Sequence, residues 1–228
     1  MRAIAAAAVL VIGVSAAPSF LLAGQLPDDF VYLADVAPHV RQDMRYAGKH
    51  NFTKAVVPGY KAAACILAEP AAQALSAVGD ELAAQGYGLK VLDCYRPVKA
   101  VRHFMAWANG GSGFDPDYYP RVDRRRLIAE GYIARRSGHS TGYTIDLTLT
   151  DAKGADLDMG TPFDFFDPLA HTASKHVDKA AAERRRGLVT AMMKGGFVNY
   201  RREWWHFSLK QQPKKAQIHD FDIVPRGD

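Results

Sequence analysis

Ser137-Gly138-His139-Ser140-Thr141-Gly142-Tyr143-Thr144-Ile145-Asp146-Leu147-Thr148-Leu149-Thr150 is the stretch from which the rest of the chain can be read. Its second half alternates. Tyr143, Ile145, Leu147 and Leu149 fall on one face of a strand, and Thr144, Asp146, Thr148 and Thr150 on the other, because successive strand side chains point to opposite sides. Asp146 therefore belongs to the polar face and, backed by Ile145 and Leu147, can point into a cleft. His139 lies seven residues earlier. An odd interval sends two side chains of a regular strand to opposite faces, so His139 and Asp146 meet only if the chain turns or bulges between them. Gly142 is the residue that permits this.

Outward from this strand the pattern mixes helices and strands. Glu69-Pro70 opens a helix running to Gln85, with Leu75, Val78 and Leu82 on one face and Gly86 as its stop. Leu89 to Asp93 reads as a short strand. Pro97 starts a second helix that carries Val101, Phe104, Met105 and Ala108 inward and ends at Gly110 to Gly113. Arg121 to Glu130 reads as a third, short helix, and Asp178 to Lys194 as a long one stopped by Gly195-Gly196. Trp204 to Leu209 is another strand. Its alternation puts one of Trp204 and Trp205 in the core and the other on the cleft wall, with Glu203 at the strand entrance. Without regular βαβ alternation, the order predicts an α+β fold: a single domain whose central antiparallel or mixed sheet is flanked by helices.

Bulk properties narrow the classes. A chain of 228 residues, 48% hydrophobic and 23% charged, buries an ordinary core and makes one domain or at most two small ones. A formal net charge of +5 is too small to argue for nucleic acid. The arginine clusters (Arg124 to Arg126, Arg184 to Arg186, Arg201 and Arg202) read as solvated faces. At the N-terminus, Met1-Arg2 precedes the apolar run Ala3 to Val14 and the small residues Ser15 to Ala17. That is the layout of a secretory leader over residues 1–24, with the body at 25–228 periplasmic or secreted and not inserted in a membrane after cleavage. The competing reading is an uncleaved N-terminal anchor, since apolar residues resume at Phe20 to Ala23, and either one places the body outside the cytoplasm. Cys65 and Cys94 are the two cysteines. Two readings stand for them: a bridge, favoured by an oxidising compartment, or two buried free thiols.

Two segments carry the chemistry: Ser137 to Asp146, and Glu203-Trp204-Trp205-His206-Phe207. Together they offer two imidazoles and a carboxylate, with a glutamate beside the second histidine. A catalytic zinc takes three such ligands and leaves a position open to water, and a carboxylate outside the ligand set serves as general base. The remaining histidines (39, 50, 103, 171, 176 and 219) read as ordinary polar residues.

These segments resemble the D-Ala-D-Ala dipeptidases of the VanX type, a branch of the zinc peptidases that also includes D,D-carboxypeptidases. The S-x-H-x-x-G-x-A-x-D motif of that family appears as Ser137 to Asp146, and its E-x-W-H motif as Glu203 to His206. Asp93-Cys94-Tyr95-Arg96-Pro97, the run Met159 to Asp164 and the doubled tryptophan extend the likeness, which covers about Asp28 to Phe221. The resemblance implies one zinc ion per chain, held by His139, Asp146 and His206. It implies Glu203 as the base and Arg96 as the group that polarises the scissile carbonyl. Tyr46, Ser137 and Asp164 line the substrate pocket on this likeness, with Asp164 suited to the substrate ammonium. Thr144 stands where the motif has alanine. If Cys94 pairs with Cys65, the bridge braces the loop that aims Arg96.

The activity so implied is hydrolysis of the small dipeptide D-Ala-D-Ala outside the cytoplasm, in salvage or wall turnover. Two rivals remain. One is a D,D-carboxypeptidase acting on longer wall peptides. The other is a non-catalytic module of the kind seen in hedgehog signalling domains, against which the presence of Glu203 and Arg96 argues.

Overall fold

A computed structural model describes residues 26–227, so the expected leader lies outside the described residues. The elements in chain order are β1 (Phe30–Tyr32), α1 (Leu33–Val36), β2 (Arg41–Gln42), β3 (Ile66–Ala68), α2 (Glu69–Ala84) and β4 (Tyr87–Asp93). There follow α3 (Val98–Asn109), β5 (Thr144–Asp151), α4 (Lys179–Lys194), β6 (Phe197–Asn199) and β7 (His206–Leu209). A five-stranded sheet runs β2-β4-β5-β7-β6 and a two-stranded one pairs β1 with β3. The larger sheet is mixed: β2 runs parallel to β4, and every other pairing is antiparallel. This is the α+β single domain that the sequence predicts.

The helices form where their sequences ask for them. Pro70 sits in the first turn of α2, where a missing N–H costs nothing, and Leu75, Val78 and Leu82 are buried. Each such side chain contributes roughly 1.5–3 kcal/mol of hydrophobic stabilisation. The Asp178 carboxylate accepts from the Ala181 N–H at 2.7 Å and caps α4, which therefore starts at Lys179. In α3, Val101, Phe104 and Ala108 face the core, while Met105 is only half-buried. Helices α2 and α4 pack on each other and against the sheet.

One helix fails to form. Between Arg121 and Glu130 there is a single 3-10 turn, Arg124–Arg126. The arginines there are committed elsewhere: Arg121 pairs with Asp167, and Arg124 donates to the Trp107 carbonyl and stacks 3.8 Å above its ring. Nor are the arginine clusters uniformly solvated, since Arg185 is completely buried.

Strand β5 is the spine of the sheet, and its polar face is enclosed as well: Thr144, Asp146, Thr148 and Thr150 are all buried. The segment after β5 turns back along the edge of the strand, with Thr150 bridged to Asp156. Cys65 and Cys94 form a disulfide, which decides between the two readings. It ties the start of β3 to the end of β4, and closing a loop of this size is worth about 3–4 kcal/mol in the chain-entropy account. Among the described residues no helix is long and apolar enough to cross a membrane.

Candidate active site

The two halves of the metal-type cluster come together through one turn and one strand register. His139 sits in a 3-10 turn, Gly138–Thr141, which Ser137 caps by accepting from the His139 N–H at 3.3 Å. Gly142 ends the turn with φ +77°, and a Cβ there would lie 2.4 Å from the Phe30 ring. Only glycine satisfies both demands. The turn cancels the odd spacing and brings His139 to the side of Asp146. On β7, His206 is the direct cross-strand partner of Asp146.

The resulting distances are short. His139 Nε2 lies 3.3 Å from Asp146 Oδ2 and 3.3 Å from His206 Nδ1, and His206 Nδ1 lies 2.9 Å from Asp146 Oδ1. A tetrahedral ion with bonds of about 2.0–2.1 Å holds its ligand atoms about 3.3–3.4 Å apart. Asp146 Oδ1 is buried and makes no hydrogen bond of acceptable geometry, although His206 is so near. An orphaned carboxylate oxygen facing two imidazole nitrogens fits a divalent cation. Among the described residues this is the one such group of three. His139 Nδ1 lies 2.8 Å from the Cys94 carbonyl, which can only accept, so Nδ1 carries the proton and Nε2 keeps its lone pair for a ligand bond. Burial alone would raise the Asp146 pKa, but the two histidines outweigh it and hold the carboxyl well below its usual range.

Glu203 stands at the entrance to β7, outside its regular part, with Oε2 3.5 Å from His206 Nδ1. Burial pushes its carboxyl up to about 7. Asn199 on β6 fixes this turn, donating at 3.0 Å to the carbonyls of both Glu203 and His206. Arg96 is anchored by Asp93, to which its Nε donates at 2.8 Å, and its Nη2 lies 3.5 Å from Asp146 Oδ2. The same Asp93 accepts from the Tyr60 hydroxyl at 2.6 Å. Tyr46 and Phe104 place their rings 5.1 and 5.3 Å from the guanidinium carbon of Arg96.

A cavity of about 220 Å³ opens beside the cluster, lined by Arg96, Ser137, Asp146, Glu203 and His206, and also by Tyr46 and Asp164. Of the eight residues singled out from sequence, His139 alone does not line it. The Tyr46 hydroxyl donates to Asp164 Oδ2 at 2.9 Å. Burial, followed by the charge of Asp146, raises the Asp164 carboxyl well above its usual value. Trp205 walls the cavity, while Trp204 lies behind it; both are buried.

Known proteins resemble this chain in sequence over most of its length. The peptidase family described as D-ala-D-ala dipeptidase matches residues 27–224. The chain belongs to that family. It is 38% identical over 197 residues to the D-alanyl-D-alanine dipeptidase of Enterococcus faecium, covering 85% of this chain and 98% of the relative. It is 40% identical over 201 residues to that of Enterococcus faecalis, covering 87% and 100%. With the Escherichia coli protein of the same name the identity is 35% over 192 residues, covering 84% and 90%. The protein is thus a peptidase of a metal-dependent family, with a His/Asp/His cluster placed to hold the metal.

Against this D-ala-D-ala dipeptidase background, Thr144 does not join the cluster: its hydroxyl pairs with Ser208 at 2.8 Å. Three contributors escaped the sequence reading. Asp93 was visible only as part of a motif, and nothing near Tyr60 or Asn199 in the sequence marks them as partners of Asp93 and Glu203.

Proposed function

We propose that this protein hydrolyses D-Ala-D-Ala to two D-alanines, with a zinc ion held by His139, Asp146 and His206, one per chain. The observation that carries the reading is the convergence of three ligand atoms on one point, with Glu203, Arg96 and a cavity of dipeptide scale around it. About 220 Å³ lies below the ~300–1,000 Å³ typical of drug-sized ligand sites. That favours the free dipeptide over a long stem peptide. The names of the relatives point to the same substrate.

When bound, zinc supplies Lewis acidity at the scissile carbonyl and lowers the pKa of a coordinated water toward neutrality. Glu203 takes the proton from the attacking water. Its carboxyl, raised to about 7 by burial, is poised both to accept that proton and to deliver it to the leaving amine. Arg96 faces the negative charge that develops on the carbonyl oxygen; a guanidinium stays charged at any working pH, and Asp93 holds it in place. Asp164 and Tyr46 form the wall that receives the substrate ammonium, and Ser137 lines the cavity beside His139.

Action outside the cytoplasm, in salvage or wall turnover, is supported by the leader-like N-terminus and by the Cys65–Cys94 bridge, a bond of oxidising compartments. The test is alanine release from D-Ala-D-Ala by the purified chain, with and without a chelator. L-Ala-L-Ala and a pentapeptide ending in D-Ala-D-Ala run in parallel. Chelator-sensitive, zinc-restored cleavage of the D,D-dipeptide alone is expected. Preference for the pentapeptide would move the reading to a carboxypeptidase.

A further inference from the structure

Arg185 lies on α4 within the run Arg184 to Arg186. Arg186 is exposed, whereas Arg185 turns inward and is 0% exposed. Its Nε donates to the Met159 carbonyl at 2.7 Å, and its Nη1 to the carbonyls of Leu169 at 3.0 Å and His171 at 2.9 Å. Its Nη2 reaches the Thr161 hydroxyl at 3.4 Å. Trp204 Nε1 donates to that same hydroxyl at 2.8 Å, and the Trp204 ring centre lies 5.9 Å from the guanidinium carbon. Among the described residues no carboxylate pairs with Arg185, and burial lowers its pKa to about 10. A buried cation without a counter-charge is costly to keep.

All four acceptors belong to one segment, residues 159–171, whose only regular element is the 3-10 turn Pro168–Ala170. That segment carries Asp164 into the cavity wall. Asp164 is a non-glycine residue at φ +59°, buried, with its carboxylate accepting from Tyr46. Left-handed backbone at such a residue persists only where the surroundings over-determine it. Here the surroundings are a guanidinium fork that gathers three carbonyls and a hydroxyl from both sides of Asp164. The planar, five-donor geometry of arginine serves this purpose, and the point charge of lysine does not.

We infer that Arg185 is a positioning residue for substrate selection: it fixes the loop conformation that presents the Asp164 carboxylate to the ammonium group of the dipeptide. The inference rests on the reading of Asp164 as the ammonium partner. A merely structural anchor would lower stability and weaken all ligands alike. A positioning residue weakens only those ligands that carry the ammonium.

The experiment compares KM for D-Ala-D-Ala with the inhibition constant of N-acetyl-D-Ala-D-Ala, which lacks the ammonium, on the zinc-loaded enzyme. Asp164→Asn comes first and is expected to raise KM about tenfold or more while leaving the N-acetyl constant within about twofold. If it does not, the ammonium reading itself fails. Given that result, Arg185→Lys and Thr161→Val are expected to reproduce the same split, with kcat changed less than about threefold. Thr161→Val deletes one hydroxyl and decides the matter if Arg185→Lys does not fold. Folded variants with an unchanged ratio, or with both constants rising together, overturn the inference.

Discussion

The two walls of the cavity are built in different ways. On one side, Asp146 and His206 face each other across the β5–β7 ladder, and His139 is held by the turn that enters β5. Backbone register and one backbone carbonyl, that of Cys94, set the geometry. On the other side, Tyr46 and Asp164 meet from positions 118 residues apart, on segments without a ladder between them. Their geometry depends on side chains, Arg185 above all. Two arginines mark the contrast: half-buried Arg96 is held by the carboxylates of Asp93 and Asp146 and faces the cavity, whereas fully buried Arg185 is wrapped by carbonyls and holds a loop. On the proposed function, the wall that breaks the bond is anchored to the sheet and the turns that enter and leave its strands, and the wall that chooses the molecule is made from loops.

The largest effect that sharpens this contrast lies on the sheet wall. His206→Ala is expected to lose bound zinc and turnover together, whereas Glu203→Ala keeps the metal and loses about 10²–10⁴-fold in kcat. Metal analysis beside kinetics reads both. A Glu203→Ala enzyme retaining more than about a tenth of the wild-type rate would remove Glu203 from the role of base. Next comes the Cys65→Ser, Cys94→Ser double variant, expected to lose about 3–4 kcal/mol of unfolding free energy in denaturant titrations. An unchanged midpoint would mean that the sheet wall needs no brace. Asn199→Ala follows, with kcat about ten- to a hundredfold lower and KM for D-Ala-D-Ala nearly unchanged. A rise in KM instead would blur the division between the walls.

The smallest effect is a slope in the metal-free protein. The Asp164 carboxyl is raised in the folded state, so above the unfolded value of about 3.9 the native chain holds a proton that the unfolded chain has lost. Stability is then fully present below that pH and declines as pH rises through the folded value. Asp164→Asn removes this contribution, leaving that of Asp93 and Glu203, which are raised likewise. Its melting temperature should fall less between about pH 4 and pH 7 than that of the wild type. An identical slope in both proteins would mean that Asp164 is already ionised when folded.

The same contrast explains what could be read from the sequence. Strand β5 and the helices α2 and α4 announce themselves through alternation, Pro70, Asp178 and glycine stops, because those signals are local. The need for a turn at Gly142 follows from counting. By contrast, the helix expected over Arg121 to Glu130 is absent because Arg121 and Arg124 find partners at Asp167 and Trp107, far along the chain. The burial of Arg185 could not be read from an arginine triplet, since its acceptors are carbonyls of a distant loop that any residue types would supply. Tyr60 was hidden because its partner Asp93 lies on a strand far along the chain, and Asn199 because its acceptors are backbone carbonyls. A metal cluster built on neighbouring strands leaves a compact signature, whereas a pocket assembled from loops leaves a scattered one.

The turn at Gly142 also sets a rule for how chains of this design can change over time. One residue inserted between Gly142 and Asp146 would rotate the strand by half a period, sending Ile145 toward the ligands and Asp146 into the apolar layer. A deletion would do the same. A side chain at Gly142 would meet both a left-handed backbone and the Phe30 ring. Substitutions can therefore accumulate around the interval from His139 to Asp146 while its length stays frozen, a ruler that mutation can repaint but not recut.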